Sequence, residues 1–423
     1  MNTTSATTPV HPTDRDSRVS CLTTAQPAAA ATLATTDQID GCRLEVRCTE
    51  RPSFYEYHVT ALVEEHTDTV EGARAMLRVV ADYLTEHRIQ PISEKIYGRS
   101  EVRTPVLALR DEIFRHHELD VRAIPTWLEG LPLGNCAVVG QQIWGVVPRV
   151  RGVEVTTVET PGVGYARLWE APGFRMLHLP FVRGTREDGS LVGDEPAQTE
   201  AMFANAEIAL KSQGFGYAQV VRTWIYMGQL LEWYDDFNRV RTSYYRPAGF
   251  GGPDGLPYPA STGIQCHCAD EACMMDVLAV EERGDTGVTE PVATAIQRSS
   301  RQEQSFNYGS AFSRGMRIEI EGRRTVHISG TASINPAGDS VHIDDPELQC
   351  LETLMCIAAI LEDEGGSLRN ITSATLFCKT EETWAAWQRV CRLLQVPDIP
   401  FVPVKADVCR DDLLVEMEAI AMI

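Results

Sequence analysis

The sequence predicts an α+β protein: three tandem β-β-α-β-α-β units packed against one another inside one chain as a pseudo-trimer. An internal repeat carries most of that prediction. At a constant offset of 151 residues, Leu210 meets Leu361, Gly214 meets Gly365, Ile225 meets Leu376, Tyr226 meets Phe377, Trp233 meets Trp384 and Arg241 meets Arg392. No gap is needed over about 45 residues. The second observation is length. The 423 residues exceed one ordinary core, and at about 150 residues per domain two to three units are expected.

Both copies read alike. An amphipathic helix ends near a glycine and is followed by an apolar strand, 220–227 or 371–378. A second helix carries the tryptophan and ends in a basic residue. A proline-containing loop (Pro257-Tyr258-Pro259; residues 400–403) then leads to a last strand, 273–280 or 413–421. A degenerate copy lies upstream: a helix over 69–87, a strand over 92–98, a helix over 105–117, a loop with Pro125 and Pro132, and a strand over 137–147. Strand-like segments at 174–181 and 325–329 open the later units. The units are therefore 42–150, 151–285 and 295–423, with linkers near 148–164 and 282–298. Residues 1–41, rich in Thr, Ala and Pro, are expected to be a disordered tail. One such unit would leave a face of its sheet bare. Three can bury those faces together and leave clefts at the seams, where binding sites gather.

Composition excludes several classes. With 38 Lys+Arg against 59 Asp+Glu, the net charge of -21 argues against nucleic acid and against anionic membrane as partners. An anionic small molecule needs arginines gathered locally against that field. No stretch approaches the roughly 18 apolar residues of a membrane span, and no signal peptide is read at the N-terminus. Twelve cysteines, many in apolar segments such as Met355-Cys356-Ile357, read as reduced thiols of a cytoplasmic protein. Cys266-His267-Cys268 with Cys273 fits no strong zinc spacing, so no metal is expected. The glycines of 249–255 lack the following Lys-Ser/Thr of a phosphate loop. His327 reads as a satisfied strand histidine.

The ordered set Asn205-Ala206-Glu207, Arg222-Thr223-Trp224, Phe237-Asn238, Pro259-Ala260-Ser261-Thr262-Gly263, Ser329-Gly330-Thr331-Ala332 and Cys409-Arg410 … Leu414-Val415-Glu416-Met417-Glu418 resembles the chorismatases, enzymes built from Rid/YjgF-like units. The resemblance covers 165–423 well and the first unit loosely. It implies a pseudo-trimer of Rid-like units and cleavage of chorismate to pyruvate and a hydroxybenzoate or dihydroxycyclohexadiene acid, with no cofactor. Simple Rid imine deaminases carry a carboxylate-binding arginine shortly before the last strand. Residues 395–408 hold none, with Pro403 and Lys405 in that neighbourhood, which favours the chorismatase branch.

Alternation puts Glu416 and Glu418 on one face of the last strand, opposite Val415 and Met417. On pattern alone that is a solvated sheet face; the resemblance implies that Glu416 is the proton donor to the enolpyruvyl ether, which requires a raised pKa. Asp276 is read as its counterpart one repeat earlier. The resemblance also makes Cys409 and Gly315 marks of the 3-hydroxybenzoate-forming branch, although Cys409 alone reads as a small buried thiol. Chorismate carries two carboxylates, which call for cations. Arg222, in an otherwise apolar strand, is the first candidate, or else pairs with Glu207 or Asp235. Lys379 is its mirror in the third unit, and Arg241, Tyr244, Arg314 and Thr262, with Ser261 and Gly263, follow. The expected activity is release of pyruvate and 3-hydroxybenzoate, in secondary metabolism, as a polyketide starter. The alternatives are the sister activity giving trans-3,4-dihydroxycyclohexa-1,5-diene-carboxylate, and a non-catalytic module that binds a small carboxylate. Filled seams imply a monomer.

Overall fold

In the computed structural model, which describes residues 32–64, 70–129, 131–133, 136–251, 255–266, 271–284 and 292–423, the three units follow in chain order. The first comprises β1 (Thr32–Ile39), β2 (Cys42–Glu50), β3 (Phe54–Val63), α1 (Val70–His87), β4 (Gln90–Gly98), α2 (Ser100–His116), β5 (Thr126–Leu128), β6 (Leu131–Pro132) and β7 (Val138–Pro148). The second comprises β8 (Glu154–Thr160), β9 (Gly164–Ala171), β10 (Phe174–Arg183), α3 (Glu195–Ser212), β11 (Val220–Met227), α4 (Leu230–Tyr245), β12 (Ala260–Gln265) and β13 (Cys273–Glu282). The third comprises β14 (Ala293–Ile296), β15 (Gly315–Ile320), β16 (Arg323–Ala332), α5 (Pro346–Asp363), β17 (Ile371–Cys378), α6 (Glu381–Leu394), β18 (Phe401–Lys405) and β19 (Val415–Met422). The repeat offset is structural: α3 and α5 start at Glu195 and Pro346, β11 and β17 at Val220 and Ile371, α4 and α6 at Leu230 and Glu381. Each first helix of these two units starts on an aspartate cap, Asp194 or Asp345, with proline in its first turn.

Each unit makes one mixed sheet. The strand orders are β1-β2-β3-β7-β4-β5, β12-β11-β13-β10-β9-β8, and β14-β15-β16-β19-β17-β18-β6, the third borrowing β6 from the first unit. Each unit carries two strands more than the sequence pattern suggests, a leading edge strand and the short strand (β5, β12 or β18) that runs parallel to β4, β11 or β17. Two expectations need correction. Strand β1 lies inside the stretch read as a disordered tail. It pairs with β2 along its whole length although most of its residues are exposed. Main-chain bonding rather than burial holds it, which composition cannot register. The supposed linkers likewise contain the edge strands β8 and β14. Residues 1–31 lie outside the described residues.

Every sheet buries one face under its own helices and turns the other toward a common axis. Three helix-side cores belong mainly to the single units, the second also taking in Ala311 of the third; a fourth core draws Phe54, Trp169, Trp224, Phe377 and Val404 from all three. The architecture is three Rid-like units closed on one another. No helix among the described residues is long and apolar enough to cross a membrane.

Around the axis the units present equivalent positions. The middle strands β4, β11 and β17 place Lys95 opposite Gln142, Trp224 opposite Asp276, and Thr375 opposite Glu418. A β-bulge interrupts β10 at Leu179/Val182 and β16 at Ile328/Thr331, but β3 pairs with β7 without one. The bulges bring Phe181 and Gly330 to the seams.

Candidate active site

The seam between the second and third units forms where the edge strand β12 meets β16. The Ser261 amide donates to Ser329 Oγ at 2.9 Å, and the Gly330 amide donates to Thr262 Oγ1 at 3.1 Å. Strand β19 runs beside this seam. Its Val415, Met417, Ala419 and Ala421 enter the helix-side core, so alternation turns Glu416, Glu418 and Ile420 toward the axis. Both glutamates are only 4% exposed, which removes the solvated-face reading.

The two carboxyls meet different surroundings. Glu418 Oε2 accepts from Arg222 Nη2 at 2.7 Å, and Oε1 accepts from Thr375 Oγ1 at 3.2 Å with Lys95 Nζ at 3.5 Å. Burial pushes this carboxyl up, but Lys95, Arg222 and the Thr262 and Thr375 hydroxyls outweigh it, and the net direction is down. Glu416 makes no hydrogen bond among the described residues. Its carboxyl packs against Gly330, where any Cβ would overlap it. Burial, then the charge of Glu418, raises it to about 8 against the opposing pull of Arg222. At neutral pH one strand thus presents a protonated acid beside an ionised one, the pattern that assigns separate roles to paired carboxyls.

Around Glu416 stand side chains from both units. Half-buried Cys409 precedes β19, its thiol pushed up to about 12 by burial and then by Glu416. Tyr234, on α4, lies by Gly263; burial, and then the neighbouring Cys409, raise its hydroxyl. Arg241, two turns further along α4, is buried over Phe237 and donates from Nη2 to Asn238 Oδ1 at 2.6 Å, while its Nε has no partner among the described residues. Thr262 accepts from Arg222 at 2.6 Å, and Ser261 Oγ accepts from Thr223 Oγ1 at 2.9 Å.

Of the residues picked from the sequence, the structure gathers Glu416, Cys409, Arg222, Arg241, Thr262, Ser261 and Gly263 at this seam. Others it places at the seam's edge or elsewhere. Tyr244 stacks on Phe203 at 5.4 Å on the helix side of the second sheet. Lys379 donates to the Asp411 carbonyl at 2.8 Å and braces the loop before β19. Arg314 stays at the edge of the seam, where its carbonyl accepts from the Ser329 amide at 2.9 Å, and its guanidinium holds the Glu303 carbonyl at 3.0 and 2.9 Å. At Gly315 the atoms nearest a Cβ belong to His327 and Ile296, so the room left there lies against β16 and β14. Arg222 pairs with neither Glu207 nor Asp235 but with Glu418. His327 is buried, and neither ring nitrogen has a partner among the described residues. His267 and Cys268 lie outside the described residues, among which no cluster fit for a metal occurs.

The counterpart of Glu416 also changes. Glu416 pairs with Phe377, and Tyr226, the repeat equivalent of Phe377, pairs with Met274; Asp276 faces Trp224 as Glu418 faces Thr375. Asp276 therefore corresponds to Glu418, and Met274 to Glu416. The sequence reading missed Tyr234, Gly330 as the bed of the carboxyl, and Lys95. A cavity of about 40 Å³ at the axis, lined by His58, Lys95, Gln142, Arg222, Trp224 and Glu418, takes waters rather than a six-membered ring.

The chain is similar to known proteins in sequence and in fold. Residues 305–423 match the profile of the family described as Endoribonuclease L-PSP. A 3-hydroxybenzoate synthase of Streptomyces hygroscopicus is 26% identical over 237 residues, 49% of this chain and 65% of that protein. A chorismatase of Streptomyces rapamycinicus is 25% identical over 226 residues, 48% of this chain and 64% of that one. The matched region thus spans about half of this chain and just under two thirds of each relative. A chorismatase crystal structure superposes with a TM-score of 0.56 and 19% identity, covering 88% of this chain and all of that one. That likeness is one of fold.

Proposed function

We propose, starting from a chain of the chorismatase family with a Rid-like fold, that it cleaves the enolpyruvyl ether of chorismate to pyruvate and 3-hydroxybenzoate at the seam of the second and third units. One arrangement carries the reading: Glu416 is a buried carboxyl packed on Gly330 beside the ion-paired Glu418, where burial raises it to about 8. Cleavage begins with proton transfer to the terminal methylene of the enol ether, and a carboxylic acid near its pKa is suited to give it. The proton forms a new C–H bond, and positive charge develops on the ether carbon. The ionised Glu418 next to the acid favours that charge. The ring C–O bond then breaks with its electrons passing to pyruvate, aided by the neighbouring ring hydroxyl. The oxygen of that hydroxyl closes on the vacated carbon as an epoxide and gives its proton to the Glu416 carboxylate. Protonated again by Glu416, the epoxide opens at the carbon that first carried the hydroxyl. Loss of the proton on the other carbon restores the acid and leaves the oxygen at ring position 3. Every atom of chorismate leaves in the two products, so no water is consumed.

Positive charge for the substrate's carboxylates comes from Arg241, whose Nε lacks a partner, and from Arg222 behind Thr262. Cys409 remains a thiol at neutral pH, so it assists as a proton carrier rather than as a thiolate. Support for the aromatic branch is the position of this thiol beside the acid. The purified protein is incubated with chorismate, and pyruvate and ring products are separated by chromatography. Equal amounts of pyruvate and 3-hydroxybenzoate are expected, both lost in Glu416→Gln. A non-aromatic diol would overturn the branch, and absence of pyruvate the reaction.

A further inference from the structure

Lys95 belongs to the first unit, which reaches the pair through Lys95 and through Tyr97, whose hydroxyl lies 3.1 Å from Thr375 Oγ1. The Lys95 ammonium lies 3.5 Å from Glu418, on the last strand of the third unit. It is buried, lies over the Trp224 ring at 4.4 Å, and meets Glu418 as its ion-pair partner among the described residues. The ring position it fills is taken by Trp224 and Thr375 in the other units. A cation stands there once, and it stands against the carboxyl pair.

We propose that Lys95 is a positioning residue for the acid: with Arg222 it pins the negative charge of the carboxyl pair on Glu418 and so leaves the pair's one proton on Glu416.

The argument is one of coupled sites. When two neighbouring carboxyls share a single proton, its place is set by the difference between their surroundings. Both cations lie on Glu418, one from β4 and one from β11, while neither bonds to Glu416. The other groups facing the pair do not reverse this. Asp276, from β13, is occupied by the Thr126 hydroxyl at 2.7 Å and the Phe181 amide at 2.8 Å. Tyr97 and Tyr226 are held as neutral phenols by burial, and His327 as a neutral imidazole. On the Glu416 side stand the Cys409 thiol and the Tyr234 phenol, with the Arg241 charge beyond them. Removing Lys95 leaves Arg222 as the one cation on Glu418, narrows the difference between the two carboxyls and lets part of the proton move to the wrong one.

The kinetic arm of the test rests on the reading of Glu416 as the acid. Lys95→Met is expected to lower kcat about two- to tenfold over the pH range in which the pair holds one proton, the fall that follows when the balance between the carboxyls becomes even or tips by about one pK unit, with KM little changed. The alkaline limb stays or moves upward, because loss of a cation makes the doubly ionised pair costlier. Lys95→Arg recovers most of the rate. The second arm needs no substrate. Difference infrared spectroscopy of the whole chain at pH 7 reads the protonated-carboxyl stretch, assigned by its loss in Glu416→Gln. In Lys95→Met this band weakens and a second, lower-frequency band of a hydrogen-bonded carboxyl joins it; Lys95→Arg restores the single band. An unchanged band in Lys95→Met overturns the proposal, whether or not chorismate is turned over. If Lys95→Met does not fold, Lys95→Gln, polar but uncharged, decides the same question.

Discussion

The seam between the first and second units follows the same plan as the seam between the second and third, but only the latter sets two carboxyls side by side on its last strand. Thr126 and Thr262 occupy equivalent places on β5 and β12, Asp276 and Glu418 on β13 and β19. They part at two positions. Where the later seam has Glu416 the earlier has Met274, and where the later bulge has Gly330 the earlier has Phe181, at a φ of 52° unusual for an aromatic residue. Phe181 fills the gap and lies between Arg103 and Arg183, 4.7 and 5.0 Å from its ring. Its amide bonds Asp276 directly, while the Gly330 amide reaches only as far as Thr262. The third seam has neither bulge nor acid: Gln142 stands for Glu418 and donates to the Ala374 carbonyl at 2.8 Å. A missing side chain therefore matters as much as the carboxyl that is present. The acid exists where a glycine makes room for it beside an ionised partner.

The largest effect expected is on chemistry. Glu416→Gln should lower kcat by about 10²–10⁴, the usual worth of a general acid, with the far-ultraviolet circular dichroism unchanged. Placing a carboxyl in the closed seam should instead act on stability. Met274→Glu has Phe181 rather than a glycine beside it, so unfolding in urea should show a loss of about 3 kcal/mol or more, as for a buried charge without a bonded partner. An unchanged midpoint would mean that the two seams are less different than their side chains indicate.

The pH dependence sharpens the comparison further. Activity should fall as pH rises through about 8, where Glu416 ionises. Its raised pKa also means stability that is full below the unfolded value near 4.5 and is lost as pH rises through about 8. His58 and His178 act in the opposite direction. Burial lowers them to about 4 and about 3, so their stability is present above about 6.5 and is lost as pH falls through those values. Thermal melting from pH 4 to 9 should show a maximum between these limits, and Glu416→Gln should flatten its alkaline side alone. The smallest effect concerns Cys409: with the thiol raised to about 12, alkylation at pH 8 should be slower than for a free cysteine.

The sequence made the repeat visible because α3 to α6 and β11 and β17 keep one spacing and one burial pattern. Glu416 and Glu418 could be set on one face because a strand alternates. The counterpart of Glu416 could not be found, since the loops before β13 and β19 differ in length and only the pairing of Met274 with Tyr226 settles the register. Tyr244 and Arg241 share α4, but which turn of the helix faces the seam depends on how it packs on Phe203. Lys95 was out of reach of any local pattern, because its partner lies on the last strand of another unit.

The most direct test compares one substitution in each seam: Gly330→Ala and Phe181→Ala, both assayed for pyruvate release from chorismate, with folding checked by circular dichroism. The account predicts that Gly330→Ala, whose methyl overlaps the Glu416 carboxyl, loses activity by about 10² or more, while Phe181→Ala stays within a few-fold of the parent. Equal activity in the two variants would contradict the claim that the Gly330 pocket holds the working acid.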